Sequence, residues 1–268
     1  MFPLRDNIPL ARLPVITVAI VALNVVAYVL SIRHGGSFFG GPPNSVTARY
    51  GAIPYELTHP GTHCVLVSEP GARGSVEAIA CGPGSVAQIA PGTPGAWRPA
   101  PWLTVVSSMF LHGSFLHIFG NMLFLAIFGP TLEDALGRVR FPLLYLAGGL
   151  VALGAQVLAD PGSTAPTLGA SGAIAAVLGA YILLYPRARI LTLVLIIFFV
   201  TIVEVPAVLL LGFWFLLQLY FGLAGLASPL DGGGGVAYFA HIGGFVFGLL
   251  AIRLLLGRQG SEPPLPLY

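Results

Sequence analysis

Residues 13–32 read LPVITVAIVALNVVAYVLSI, 20 in a row without a charged side chain. A helix crossing the hydrocarbon core of a bilayer needs about 20 mainly apolar residues, so this run is long enough to span. No small-residue cleavage site follows it, and it exceeds the usual length of a signal-peptide core, so it reads as a retained span. Comparable runs lie at 113–130, 141–159, 170–186, 206–227 and 236–256. Composition agrees: 56% of the 268 residues are hydrophobic and 8% charged, where a soluble chain carries about 25% charge. Mean hydropathy is +0.88. Helices satisfy their own backbone polar groups in lipid, so the expected fold is an all-α polytopic membrane protein, a bundle of six transmembrane helices.

Orientation follows from the arginines, because the chain has no lysine. Arg5, Arg12, Arg138, Arg140, Arg187, Arg189, Arg253 and Arg258 all fall on one side of a six-span chain. That side is expected to be cytoplasmic, with both termini on it, in a cell (plasma) membrane. Arg33, Arg49, Arg73 and Arg98 sit in the long first loop, where length dilutes the charge rule. The sequence pI near 8.7 is then a topology signal. No basic patch with interleaved aromatics supports nucleic-acid binding. Residues 190–203 are also apolar but number 14 and end at Glu204 and Pro206. Their length suits a re-entrant or interfacial segment on the cytoplasmic side. Were they to cross, Ser171 and His241 would start their helices on opposite faces.

The expected organisation is a cytoplasmic segment 1–12, a membrane domain 13–257 and a cytoplasmic tail 258–268. A long extracytoplasmic loop, 33–110, is inserted between the first two spans and is rich in Gly-Pro turn signals. Cys64 and Cys81, the two cysteines of the chain, both lie in it. They are a candidate disulfide in an oxidising compartment, two unpaired thiols being the other reading.

Ser171 stands in Gly169-Ala170-Ser171-Gly172 at the mouth of the fourth span. There its hydroxyl is beside free helix N-terminal amides able to face an oxyanion; an N-cap serine with packing glycines is the plainer reading. The hydrolase elbow G-x-S-x-G is not matched, since Ala173 holds its last position. His241 lies near the start of the last span, where ionisable residues are rare and usually functional. Gly172, Ala176 and Ala180 repeat every four residues on one span, as Ala240, Gly244 and Gly248 do on the other. Such stripes let helices approach closely, which would join the hydroxyl to the imidazole for nucleophilic hydrolysis. His117 and Asn121 share a face of the second span, and both can donate to an oxyanion. His112, one turn nearer the surface, reads as interfacial. A zinc site of His112, His117 and His241 lacks the glutamate base of H-E-x-x-H, so no metal and no other cofactor is expected. Asp160 and Asp231 fall in outer loops, which makes a Ser–His dyad the expected arrangement.

These motifs resemble those of the rhomboid family of intramembrane serine proteases. Gly169-Ala170-Ser171-Gly172 is similar to the family's G-x-S-G, and Ala240-His241 with Gly244 and Gly248 to its last-helix A-H-x-x-G-x-x-x-G. His117 and Asn121 fall on its oxyanion-stabilising positions, and Gly129 to Gly137 fits its G-x-x-x-E-x-x-x-G between spans two and three. The resemblance implies a Ser171–His241 dyad that cleaves peptide bonds in or near transmembrane segments of other membrane proteins, in a water-filled cavity open to the outer face. It also implies gating by spans two and five with the loop before span six, where the glycines at 232–235 would give mobility. Two positions depart from the pattern. Trp97-Arg98 is not clearly aligned with the family's Trp-Arg pair, Trp102 being followed by Leu103. Ala175 stands where some members place a tyrosine against the histidine. A catalytically inactive relative that binds or escorts membrane proteins is the alternative function. A transporter would show inverted repeats or mid-membrane charge.

Overall fold

Helices dominate the computed structural model of the chain, which describes residues 2–33, 35–71, 74–82, 99–196, 199–227 and 236–256. In chain order the elements are β1 (Phe2–Asp6), α1 (Val15–Ile32), α2 (Asn44–Tyr50), α3 (Pro54–Thr58), β2 (Cys64–Gly71), β3 (Gly74–Cys81), α4 (Pro101–Ser107), a 3₁₀ turn (Ser108–Phe110), α5 (Phe115–Ala159), α6 (Ser171–Leu184), β4 (Arg189–Ile196), β5 (Phe199–Pro206), α7 (Ala207–Ala227) and α8 (Tyr238–Leu256). Among the described residues α1, α5, α7 and α8 are long and apolar enough to cross a membrane. The chain is a multi-pass membrane protein. It divides into two compact units, one of residues 1–22, 119–152 and 171–268, the other of residues 23–118 and 153–170.

In the first unit α6 is the centre. Gly172 to Tyr181 are all buried, as expected of a helix that is apolar all round. The start of α1 is capped from afar: one Glu133 oxygen accepts the Ile16 N–H (2.9 Å), and the other accepts the Thr17 N–H (2.7 Å) and the Thr17 hydroxyl (2.8 Å). A helix leaves its first N–H groups without intrahelical acceptors, and α1 has no acidic residue in its first turn. Glu133, only 3% exposed, supplies the missing charge. Asp6 of β1 accepts from the hydroxyls of Thr131 (2.6 Å) and Tyr181 (2.8 Å). Burial pushes its carboxyl above the usual aspartate range, while these two hydrogen bonds pull the other way.

The second unit gives the region after the first span its own structure. Cys64 faces Cys81 across the β2–β3 hairpin, and the two are joined as a disulfide. Buried Glu56 of α3 accepts the Cys64 N–H at 2.6 Å. Ala52 pairs with Thr167, and the Thr58 hydroxyl donates to the Pro161 carbonyl. Gly41, at φ +91°, lies against the Gly113 carbonyl, where a Cβ would have no room.

One expectation is corrected. The chain is not all-α: β1, β4 and β5 form an antiparallel sheet in the order β1-β4-β5, and β2 pairs with β3. Residues 190–203, expected as a re-entrant or interfacial segment, form most of the β4–β5 hairpin, paired from Arg189↔Pro206 to Ile196↔Phe199. Their dense Ile, Val and Thr content favours the extended backbone, and pairing satisfies peptide groups that a lone apolar segment would leave open. The second and third expected spans, 113–130 and 141–159, fall on the two arms of α5. The helix is interrupted between them at Gly137 (φ +78°, ψ 172°), a conformation that a glycine adopts without a Cβ penalty. The tail 258–268, with Arg258, the Gly232–Gly235 run and the Trp97-Arg98 pair lie outside the described residues.

Candidate active site

Ser171 is the first residue of α6, and His241 is in the first turn of α8. The two helices run parallel from this point in backbone contact. A Cβ on Gly244 would collide with the Gly172 carbonyl, one on Gly248 with the Ala176 carbonyl, and one on Gly179 with the Phe245 carbonyl. Glycine at these sites is therefore a packing requirement, and the close approach it allows sets the distance between the side chains above it. His241 Nε2 lies 2.8 Å from Ser171 Oγ.

The other face of the imidazole is held by α7. His241 Nδ1 lies 2.8 Å from Gln218 Oε1, and the Trp214 ring packs on the imidazole with centroids 5.8 Å apart and planes tilted by 37°. Gln218 is buried, and its Nε2 points toward the Trp214 carbonyl at 3.4 Å. Neither residue was singled out from the sequence. A partial signal was there for Gln218: it is the one amide side chain in α7, and such a side chain in lipid seeks a partner on a neighbouring helix. Trp214 had no distinguishing sequence mark. It supplies from α7 the aromatic wall that Ala175 does not, and Ala175 itself lies against Gly244, where a larger side chain has no space.

Asn121, in the same compact unit, has its side-chain Nδ2 buried with no hydrogen-bond partner among the described residues. A buried amide donor without an acceptor is costly to keep and is chemically suited to a transient oxygen anion. His117, four residues earlier on α5, belongs to the other unit. Its Nδ1 accepts a long bond from the Gly113 N–H (3.4 Å), which leaves Nε2 as the protonated nitrogen of the neutral ring. Its backbone N–H is capped by Ser114 Oγ at 3.2 Å. His112, expected at the interface, is fully buried with its ring edge-on to His117 at 5.1 Å. Burial, with His117 beside it, pushes its pKa down to about 3. Among the described residues no three His, Cys, Asp or Glu side chains converge as a metal ion would require.

The chemistry available at the first unit's site is thus a hydroxyl, a base in contact with it, and an acceptor that orients the base. Comparison with known proteins points the same way. The family-level model of the Rhomboid domain matches residues 99–258. Relatives include Rhomboid protein 1, mitochondrial, of Saccharomyces cerevisiae, 36% identical over 55% of this chain and 40% of that protein. The Rhomboid protease GluP of Bacillus subtilis is 31% identical over 60% of this chain and 27% of its own length. The Rhomboid-type serine protease 2 of Emericella nidulans is 33% identical over 38% of this chain and 21% of its own. The chain thus spans well under half the length of these relatives.

Proposed function

This chain belongs to the rhomboid family, and from that premise we propose that it is an intramembrane serine endopeptidase, cleaving peptide bonds in or near transmembrane segments of other membrane proteins. The observation that carries the reading is the 2.8 Å contact between His241 Nε2 and Ser171 Oγ. In the proposed reaction His241 takes the Ser171 proton as Oγ attacks the scissile carbonyl carbon. The C–N bond then breaks as His241 returns that proton to the leaving amine. Water, deprotonated by the same imidazole, hydrolyses the acyl-enzyme and restores the serine. Charge developing on the carbonyl oxygen would meet the Asn121 amide and the N–H groups that open α6; an oxyanion role for His117 rests on the family resemblance alone.

We read the membrane topology as six crossings, with α5 supplying two on either side of Gly137 and α6 the short central one. By the arginine distribution both termini are cytoplasmic and the Ser171 end of α6 faces outward. The cell membrane is the site this favours. Relatives named as mitochondrial make a mitochondrial membrane the alternative, and fractionation of the native protein decides between them.

The test is cleavage of a panel of single-span substrates by purified protein in liposomes, with Ser171→Ala alongside. Cleavage that disappears in the variant supports the protease. Equal cleavage by both removes the serine mechanism, and no cleavage by a folded wild type, with an active rhomboid as control, moves the chain to the binding-only alternative.

A further inference from the structure

His241 has two ring nitrogens, and nucleophilic catalysis needs a particular one of them empty. If Nε2 carries the proton, the imidazole donates to Ser171 Oγ and cannot deprotonate it. If Nδ1 carries it, Nε2 offers a lone pair to the serine hydroxyl. The tautomer is set by the partner of the other nitrogen. Soluble serine hydrolases use a buried carboxylate for this. The helices that hold the pair offer none: neither α6 nor α7 contains an acidic or basic side chain, and α8 contains only His241 and Arg253, three turns further on.

We propose that Gln218 is the positioning residue of the site, fixing His241 in the Nδ1–H tautomer and holding its ring toward Ser171; this rests on the protease reading. The orientation of the amide is what decides it. The Gln218 Nε2 end faces the Trp214 carbonyl, which can only accept. The Oε1 end faces Nδ1 at 2.8 Å and can only accept as well, so the shared proton belongs to Nδ1. Ser171, His241 and Gln218 then form one chain of donors and acceptors across three helices, each link at 2.8 Å. The Trp214 ring, one helical turn from Gln218, covers the imidazole and opposes its rotation away from the serine. A neutral amide does this without placing a charge inside the membrane, where ionised groups are expensive. Its place on α7 also means that the base is oriented only while α7 stays packed on α8.

The experiment compares wild type, Gln218→Leu and Gln218→Glu in liposomes by cleavage kinetics and by nitrogen NMR of the histidine rings, with His241→Ala to assign the signal. Leucine removes the acceptor in an apolar setting and is expected to lower kcat by roughly 10- to 100-fold with KM unchanged, and to move His241 away from a pure Nδ1–H signature. Glutamate keeps an acceptor of the same reach and is expected to recover most of kcat. Wild-type kcat and an unchanged nitrogen signature in Gln218→Leu overturn the proposal. So does an equal loss in both variants with the fold retained, which would mean packing alone. The two readings fail separately: a wild type that cleaves nothing sinks the protease, whereas a wild-type His241 protonated at Nε2 sinks the role of Gln218.

Discussion

Replacing Gly244 by alanine tests whether backbone contact between α6 and α8 sets the Ser171–His241 distance. The methyl group would lie 3.1 Å from the Gly172 carbonyl carbon and 3.3 Å from the Ala175 Cβ, with the Gly172 oxygen nearer still. Both neighbours are parts of the helix and cannot swing aside as a long side chain would. To bring the methyl to ordinary van der Waals separation the helices must part by about 1 Å, since close-packed interiors have no slack to absorb it. Gly172 follows Ser171 directly and Gly244 is three residues after His241, so the gap opens at the level of the reacting pair. A contact of 2.8 Å would open beyond hydrogen-bonding range, near 3.5 Å. Misplacement on that scale is expected to lower kcat about 100-fold, while overpacking destabilises the bundle by about 1–3 kcal/mol. The assay is turnover of a single-span substrate in liposomes beside thermal unfolding in micelles. Gly225→Ala on α7, where nothing lies within 4 Å of the added carbon, is the control and should change neither. Wild-type turnover and stability in Gly244→Ala would refute the argument that glycine contact positions the dyad.

Three further outcomes are expected. Glu133→Gln replaces a carboxylate that accepts three hydrogen bonds with an amide whose NH₂ faces backbone donors. It should lower unfolding stability by about 2 kcal/mol without changing KM, and an unchanged unfolding midpoint would dismiss Glu133 as the cap of α1. Gly137→Ala forces a Cβ into φ +78°, ψ 172°, a region essentially reserved for glycine, at an expected cost of about 1–3 kcal/mol in the same unfolding assay; because nothing lies within 4 Å of the added carbon, the effect is backbone strain alone. Asn121→Ala should lower kcat by roughly 10²–10³-fold if its free amide binds the oxyanion, and an unaltered rate would assign that amide to packing.

The apolar runs were legible because a membrane imposes one rule, length without charge, on every span. Ser171 and His241 were legible because a hydroxyl flanked by glycines and an imidazole stand out against leucine and valine. Their convergence was readable from the small-residue stripes, whose spacing of four is a surface property of a helix. The β4–β5 hairpin was not readable in the same way. An apolar run of 14 residues has no polar face to betray a period of two, so length argued for a lipid-facing segment while β-branched side chains argued for strands. Residues 131–140 misled for the opposite reason. Glu133, Asp134, Arg138 and Arg140 mark a break between spans, yet most of the stretch is helical, and the two acidic residues are taken up by the chain before and within α1. Gln218 and Trp214 depend on which face of α7 meets α8, a rotation that no single-span pattern encodes.

The sheet has a consequence for how the chain is made. Strand β1 is residues 2–6, yet its partner β4 begins at Arg189. During synthesis at about 5–20 residues per second, the first strand waits roughly ten to forty seconds for the second to exist. Throughout that interval α1, α5 and α6 are made while Phe2–Asp6 stays unpaired with β4. Asp6 waits with it, since its acceptor oxygen is met by Thr131 of α5 and Tyr181 of α6. Sheet pairing across so long a stretch of chain is slow and comes late. Residues 2–6 thus reach their places only after α6 has been made, and without them an edge of β4 would be open to whatever strand came next.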